Sequence, residues 1–113
     1  MVLVTGSRSI ADIDISKYLK NIDVLLTGGA KGVDSLAITY AEKNGIKHIE
    51  VLPNYAKYHR AAPVIRDEEM VKKCERVIAI WDGKSKGTKH TIDFAKKYGK
   101  PIDVHIISDE ILL

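Results

Sequence analysis

Three short turns carry most of the chemistry this sequence can offer: Gly6-Ser7-Arg8, Thr27-Gly28-Gly29-Ala30-Lys31-Gly32-Val33-Asp34 and Asp82-Gly83-Lys84-Ser85-Lys86-Gly87-Thr88. Each follows an apolar run and joins glycine to hydroxyl or charged side chains. Glycine tolerates positive φ and close backbone approach, and the first N–H groups of a helix that follows have no internal acceptor. A phosphate matches that demand. Ser7, Thr27, Ser85 and Thr88 add hydroxyl donors, while Arg8 and Arg66 supply planar, charge-assisted forks. Asp34 is an acceptor, which either holds a ribose hydroxyl or interacts with the positive end of its helix. Trp81 ends an apolar run and either stacks on a base or covers the core or a dimer interface. The ligand-binding set expected from the sequence is therefore Gly6, Ser7, Arg8, Thr27, Gly28, Gly29, Gly32, Asp34, Arg66, Trp81, Ser85, Gly87 and Thr88.

Other chemistries find less support. GGAKG is not GxGxxG, and GKSKGTK lacks the four-residue interval of a P-loop, which argues against an NAD dehydrogenase or an ATPase. His48, His59, His90 and His105 lack a metal-ligand spacing, so neither a metal nor a cofactor is expected. Asp34 and Asp82 read as structural carboxylates, one in a helix first turn and one before a turn glycine. No catalytic residue is assigned.

To bring the three turns together, the chain needs a sheet whose strands all end on one rim. Val2 to Thr5, Asp23 to Thr27, Lys47 to Leu52, Arg76 to Trp81 and Ile102 to Ile107 are strand candidates rich in Val, Ile and Leu. Four are near-continuous apolar runs, the pattern of parallel strands covered on both faces. Between them, Val33, Leu36, Ala37, Tyr40 and Ala41 follow the helical period up to Gly45, and Ile92, Phe94, Ala95 and Tyr98 do so before Gly99 and Pro101. Further helices are expected at Asp12 to Lys20 and at Pro63 to Lys73, with Pro53 to Pro63 a loop near the pocket. Alternating strands and helices imply an α/β, Rossmann-like, doubly wound three-layer sandwich with a mainly parallel sheet of about five strands. In such a sheet, ligands bind at the carboxyl ends of the strands where the winding reverses.

Composition sets the outer bounds. At 113 residues the chain suits one domain, spanning 1–113, and 45% hydrophobic with 29% charged residues is an ordinary globular balance. No apolar stretch approaches the ~20 residues of a membrane span. Met1 runs directly into Val2-Leu3-Val4 without a signal-peptide pattern, which points to the cytoplasm. The lone Cys74 reads as a buried apolar thiol. Ile111-Leu112-Leu113 is expected to pack back on the domain or to enter a self-association surface, such as a homodimer.

GSR, TGGAKGVD, the IRDEEM segment and DGKSKGT occur in the order seen in the SLOG superfamily, and the resemblance covers nearly the whole chain. The sequence resembles most the short YspA-like SLOG proteins, in which an aromatic loop precedes an Arg-Asn pair and a later GT turn. This resemblance implies a Rossmannoid fold and a nucleotide-derived ligand held at Gly6, Ser7, Arg8, Gly28, Gly29, Gly32, Asp34, Arg66, Gly87 and Thr88. One departure is Asp67 where the pattern has Asn, an acceptor-only carboxylate in place of an amide. The related lonely-guy phosphoribohydrolases carry an Arg-Lys pair and a PGGxGTxxE motif, but here Asp67 replaces the lysine and Thr91 the glutamate.

The leading expectation is a nucleotide-binding or sensor domain without turnover. The alternatives are a nucleotide or N-glycosidic-bond hydrolase, disfavoured by the missing glutamate, and DprA-like single-stranded DNA binding. Lys84, Lys86, Lys89, Lys96, Lys97 and Lys100 could supply a basic rim for DNA or simply a solvated helix face; aromatic content of 6% offers little stacking.

Overall fold

The apolar runs become strands in a computed structural model, which describes residues 1–107. Five strands, β1 (Val2–Gly6), β2 (Val24–Thr27), β3 (Lys47–Glu50), β4 (Arg76–Trp81) and β5 (Ile102–Ile106), form one sheet in the order β3-β2-β1-β4-β5. Every pairing is parallel. The α/β, Rossmann-like architecture read from the sequence is therefore the observed one.

Strand alternation sends side chains to two cores. Val2, Val4, Leu25, Ile78 and Ile80 face helix α1 (Val33–Lys43), whose Val33, Ala37 and Ala41 recur every four residues along its buried stripe. Leu3, Leu26 and Val77 face the opposite layer, formed by α3 (Ala62–Lys73) and α4 (Lys86–Lys97) with Met70, Val71 and Ala95. Cys74 joins this second core as a buried thiol donating to Val71 O. Both α1 and α4 stop in Schellman turns. Ile46 N–H donates to Ala41 O and Lys100 N–H to Ala95 O, each across a glycine at φ +65°, Gly45 and Gly99.

Three segments differ from expectation. Asp12 to Lys20 contains only a single 3-10 turn, Ile15–Lys17, because Asp14 Oδ1 accepts from Ser16 N–H and Ser16 Oγ and ties the chain into a local turn. Ile10, Ile15 and Leu19 still insert into the first core, so this crossover packs without a helix. Pro53 to Pro63 is helical over most of its length: α2 (Tyr55–Tyr58) forms where the Asn54 side chain accepts from Lys57 N–H, a 3-10 turn at His59–Ala61 follows, and α3 begins at Ala62. The outer strands are covered less completely than continuous apolar runs suggest: Ile49, Val104 and Ile106 are exposed. Ile111-Leu112-Leu113 lies outside the described residues. Among those described, no helix is long and apolar enough to cross a membrane.

Gly32 illustrates how tightly the layers meet at the carboxyl rim. It sits at φ +74°, and a Cβ there would lie 2.4 Å from Ser7 O and 2.5 Å from Arg8 O. Gly45 has a similar φ of +65° with nothing within 4 Å of the added carbon. Urea denaturation should therefore show Gly45→Ala losing about 1 kcal/mol and Gly32→Ala losing roughly 2–3 kcal/mol. Equal losses would mean that backbone conformation alone, and not the contact with the first loop, requires glycine at position 32.

Candidate functional site

The winding reverses between β1 and β4, and the carboxyl ends of these strands open into a cleft of about 390 Å3. Seven of the residues named from the sequence line it: Gly6, Arg8, Asp34, Arg66, Ser85, Gly87 and Thr88. Ser7, Thr27, Gly28, Gly29, Gly32 and Trp81 are not among the lining residues.

Their places explain why. Ser7 is almost fully buried; its N–H donates to Ile80 O, and its Oγ accepts from Asp82 N–H (3.0 Å) and Ser85 Oγ (2.9 Å). Ser7 O in turn accepts from Ile10 N–H and Val33 N–H. Gly6 and Gly32 permit close packing around this residue, since a Cβ on Gly6 would lie 2.3 Å from Ile80 O. Gly28 makes room for Arg66, whose guanidinium would lie 2.7 Å from a Cβ at that position. Gly29, at φ +70°, faces Glu50 and Leu52. Trp81 Nε1 donates to Ser85 O (3.0 Å) and so braces the third turn.

The three turns consequently differ in what they offer a ligand. Asp82 organises the turn before α4: Oδ1 accepts from Lys84 N–H and Ser85 N–H at 2.8 Å each, and Oδ2 from Ser9 Oγ. Desolvation pushes its pKa upward, but these N–H groups and the Ser7 and Ser85 hydroxyls prevail and hold it near 2. Ser85 occupies the N-cap of α4, yet its hydroxyl is engaged with Ser7 and Asp82 and caps nothing. Among the described residues the N–H groups of Lys86, Gly87 and Thr88 therefore have no acceptor. Such a first turn suits an anion, and Gly87 and Thr88 line the cleft together with the exposed Arg8, which makes no ion pair among the described residues. At α1, by contrast, Val33 N–H already donates to Ser7 O, and Asp34 places a carboxylate in the first turn.

Asp34 is 6% exposed and accepts from Ala30 N–H through Oδ2 (3.1 Å), while its enclosed Oδ1 has no hydrogen-bond partner among the described residues. Thr27 Oγ1, wholly enclosed at the end of β2, also lacks one. Burial raises Asp34 to about 6 against the opposing effects of the Ala30 N–H, the Arg66 guanidinium and the nearby Thr27 hydroxyl, which faces this carboxylate without closing a hydrogen bond of good geometry.

Arg66 is fixed rather than free. Its Nε donates to Asp67 Oδ1 (2.8 Å) and its Nη1 to Gly28 O (2.8 Å) and Val51 O (3.2 Å). Burial also raises the pKa of Asp67, opposed by this arginine. The carboxylate at position 67 thus acts as the partner that orients Arg66, which an asparagine amide would do without the charge. Thr91 is buried, and its hydroxyl donates to Gly87 O within α4, so the position presents no acid to the cleft.

The lining residues outside the expected ligand-binding set are Thr5, Ser9, Ala30, Pro63, Asp67, Met70 and Asp82; of these Asp67 and Asp82 stood out in the sequence, but not as ligand-binding residues. The α3 members carried a usable signal, since Pro63, Arg66, Asp67 and Met70 are spaced i, i+3, i+4 and i+7 on one helical face. Among the lysines, Lys84, Lys86, Lys89, Lys96 and Lys97 are exposed, and Lys89 pairs with Asp93 one turn on.

Because the folded pKa of Asp34 exceeds its unfolded value, the native state holds the extra proton, and stability falls as pH rises from about 4 to about 6. Asp34→Asn removes this loss. The stability of the variant relative to the parent should rise by roughly 2–3 kcal/mol across that window and then level off. Parallel denaturation curves for the two proteins from pH 4 to 8 would contradict an ionisable, desolvated Asp34.

A family model matches residues 1–58, which contain β1, β2, α1 and β3 with the first two turns. Searches of curated proteins and of solved structures returned no match. The matched span is half of the chain and includes Ser7, Gly32 and Asp34, residues that join the β1 loop to α1. On that span the chain belongs to the YspA, cpYpsA-related SLOG family.

Proposed function

We propose that the protein binds a nucleotide or nucleotide-derived ligand in the cleft, with a phosphate on the first turn of α4 beside Arg8 and a sugar hydroxyl donating to Asp34. The observation that carries this reading is the presence in one cleft of two features of opposite kind. The first-turn N–H groups of Gly87 and Thr88 call for an anion, and the Asp34 carboxylate, whose Oδ2 accepts only from Ala30 N–H among the described residues, offers an acceptor. A phosphorylated sugar carries both groups on one small framework. Membership of the SLOG family adds a nucleotide-related role at the family level.

Arg66 contributes by shape more than by contact in this reading. Asp67, Gly28 and Val51 hold three of its donor directions, so its charge bears on the cleft from a fixed position. We also read the chain as one nucleotide-binding domain: α3 and α4 lie beyond the span matched by the family and line the same cleft as the β1 and β2 loops.

Calorimetry and thermal shift against nucleotides, cyclic nucleotides, ADP-ribose and a short DNA oligonucleotide test the proposal. A Cβ at Gly87 meets nothing within 4 Å, so Gly87→Leu should retain stability or gain up to about 1 kcal/mol while its side chain blocks the anion seat. Arg8→Ala should weaken binding roughly ten- to a hundredfold. Undiminished nucleotide affinity in both variants would refute the assignment, and binding confined to the oligonucleotide with a steep salt dependence would replace it with nucleic-acid recognition.

A further inference from the structure

The cleft does not end at Ser9 and Asp82. These side chains, joined by the Ser9 Oγ to Asp82 Oδ2 hydrogen bond of 3.2 Å, form a wall shared with a second recess of about 140 Å3. Ile10, Ala11, Ile13 and Ile107 make its interior apolar. Ile10 is buried in the first core and Ile13 and Ile107 pack against that core, so the recess is part of the folded framework. Apolar cavities of about this size, ~150 Å3, accept a benzene-sized ring.

The position of the wall bears on the ligand. Asp82 borders the recess through one side chain and, through the same carboxylate, fixes the N–H groups of Lys84 and Ser85 that lead into α4. The anion seat therefore adjoins the wall, while Asp34 and the α3 face lie in the main cleft. A phosphate on α4 would then lie between the main cleft and the recess, with a substituent directed toward each. A terminal phosphate would fill only one.

We propose that the ligand is substituted on both sides of its phosphate, as a phosphodiester or a diphosphate diester, with a sugar toward Asp34 and a compact ring in the Ile10-Ile13-Ile107 recess. This rests on the phosphate seat assigned above and deepens it. Asp12 lines the recess as an exposed carboxylate without an ion pair among the described residues, and Asp82 Oδ2 accepts from Ser9 alone. Both favour a ring that carries donor groups, such as an amino-substituted heterocycle.

Ala11 is exposed, so Ala11→Phe fills the recess from its rim without entering the core. Binding of ribose 5-phosphate, adenylyl-3′,5′-adenosine and ADP-ribose to the parent and to this variant separates the cases. The expected result is that at least one diester binds the parent about tenfold or more tightly than the monoester, and that the variant loses this advantage while its ribose 5-phosphate affinity is unchanged. Whichever diester shows the effect identifies the linkage. An advantage that survives in Ala11→Phe, or a parent that binds the monoester as tightly as both diesters, overturns the recess assignment and leaves the phosphate seat standing. A parent that binds none of the three overturns both.

Discussion

Ser7 holds together two loops that the topology drives apart. At the centre of the sheet the chain leaves β1 toward β2 on one side and leaves β4 toward β5 on the other, so a gap opens where these strands end. One buried residue spans it: backbone N–H to Ile80, hydroxyl to Asp82 and Ser85, carbonyl to Ile10 and Val33. With that residue in place, Asp82 can gather the N–H groups of its turn, Trp81 can brace Ser85, and α1 can begin against the first loop. The glycines at 6 and 32 follow from the same contact, because a side chain at either would push the loops apart.

The cleft that results is electrically graded. Arg8 and the open end of α4 favour negative charge at one part of its lining, whereas Asp34 and Asp67 make the α1 and α3 side rich in acceptors. Arg66 does not reverse this, since Asp67 is bonded to its Nε and the backbone oxygens of Gly28 and Val51 engage its Nη1. Such a gradient orients a small ligand that has an anionic end and a hydroxylated body. Aspartate at position 67 thus adds negative charge to the lining and holds the arginine by an ion pair.

Sheet and helices were legible because their signals are periodic. β4, α1 and α3 lie within a residue or so of the positions that apolar spacing indicated, and α4 stops before the glycine that marked its end. Local polar chemistry was harder to read: Asp14 and Asn54 decide against a helix at 12–20 and for a turn at 55–58, through side-chain bonds that hydrophobic period cannot register. At the cleft, residue type marked loops that line it but not which side chains face it. Ser7 and Ser85 look alike as hydroxyl donors in sequence, yet one is sealed inside the loop junction and the other lines the cleft. That difference depends on partners 73 or more positions away, such as the bond between Ser7 and Ser85.

Ser85 sits where a serine ordinarily closes a helix, and its hydroxyl is turned away. The first turn of α4 is thereby left short of the bonds that keep helix ends from fraying, a deficit on the order of 1 kcal/mol at an N-cap. On the proposed assignment, an anion seated on these amides would be the missing cap. Occupancy and local order would then be one event, because a filled cleft slows the opening of this turn and an empty one releases its amides to solvent. A helix that receives the proposed ligand would thus also be the element whose fluctuations report its arrival.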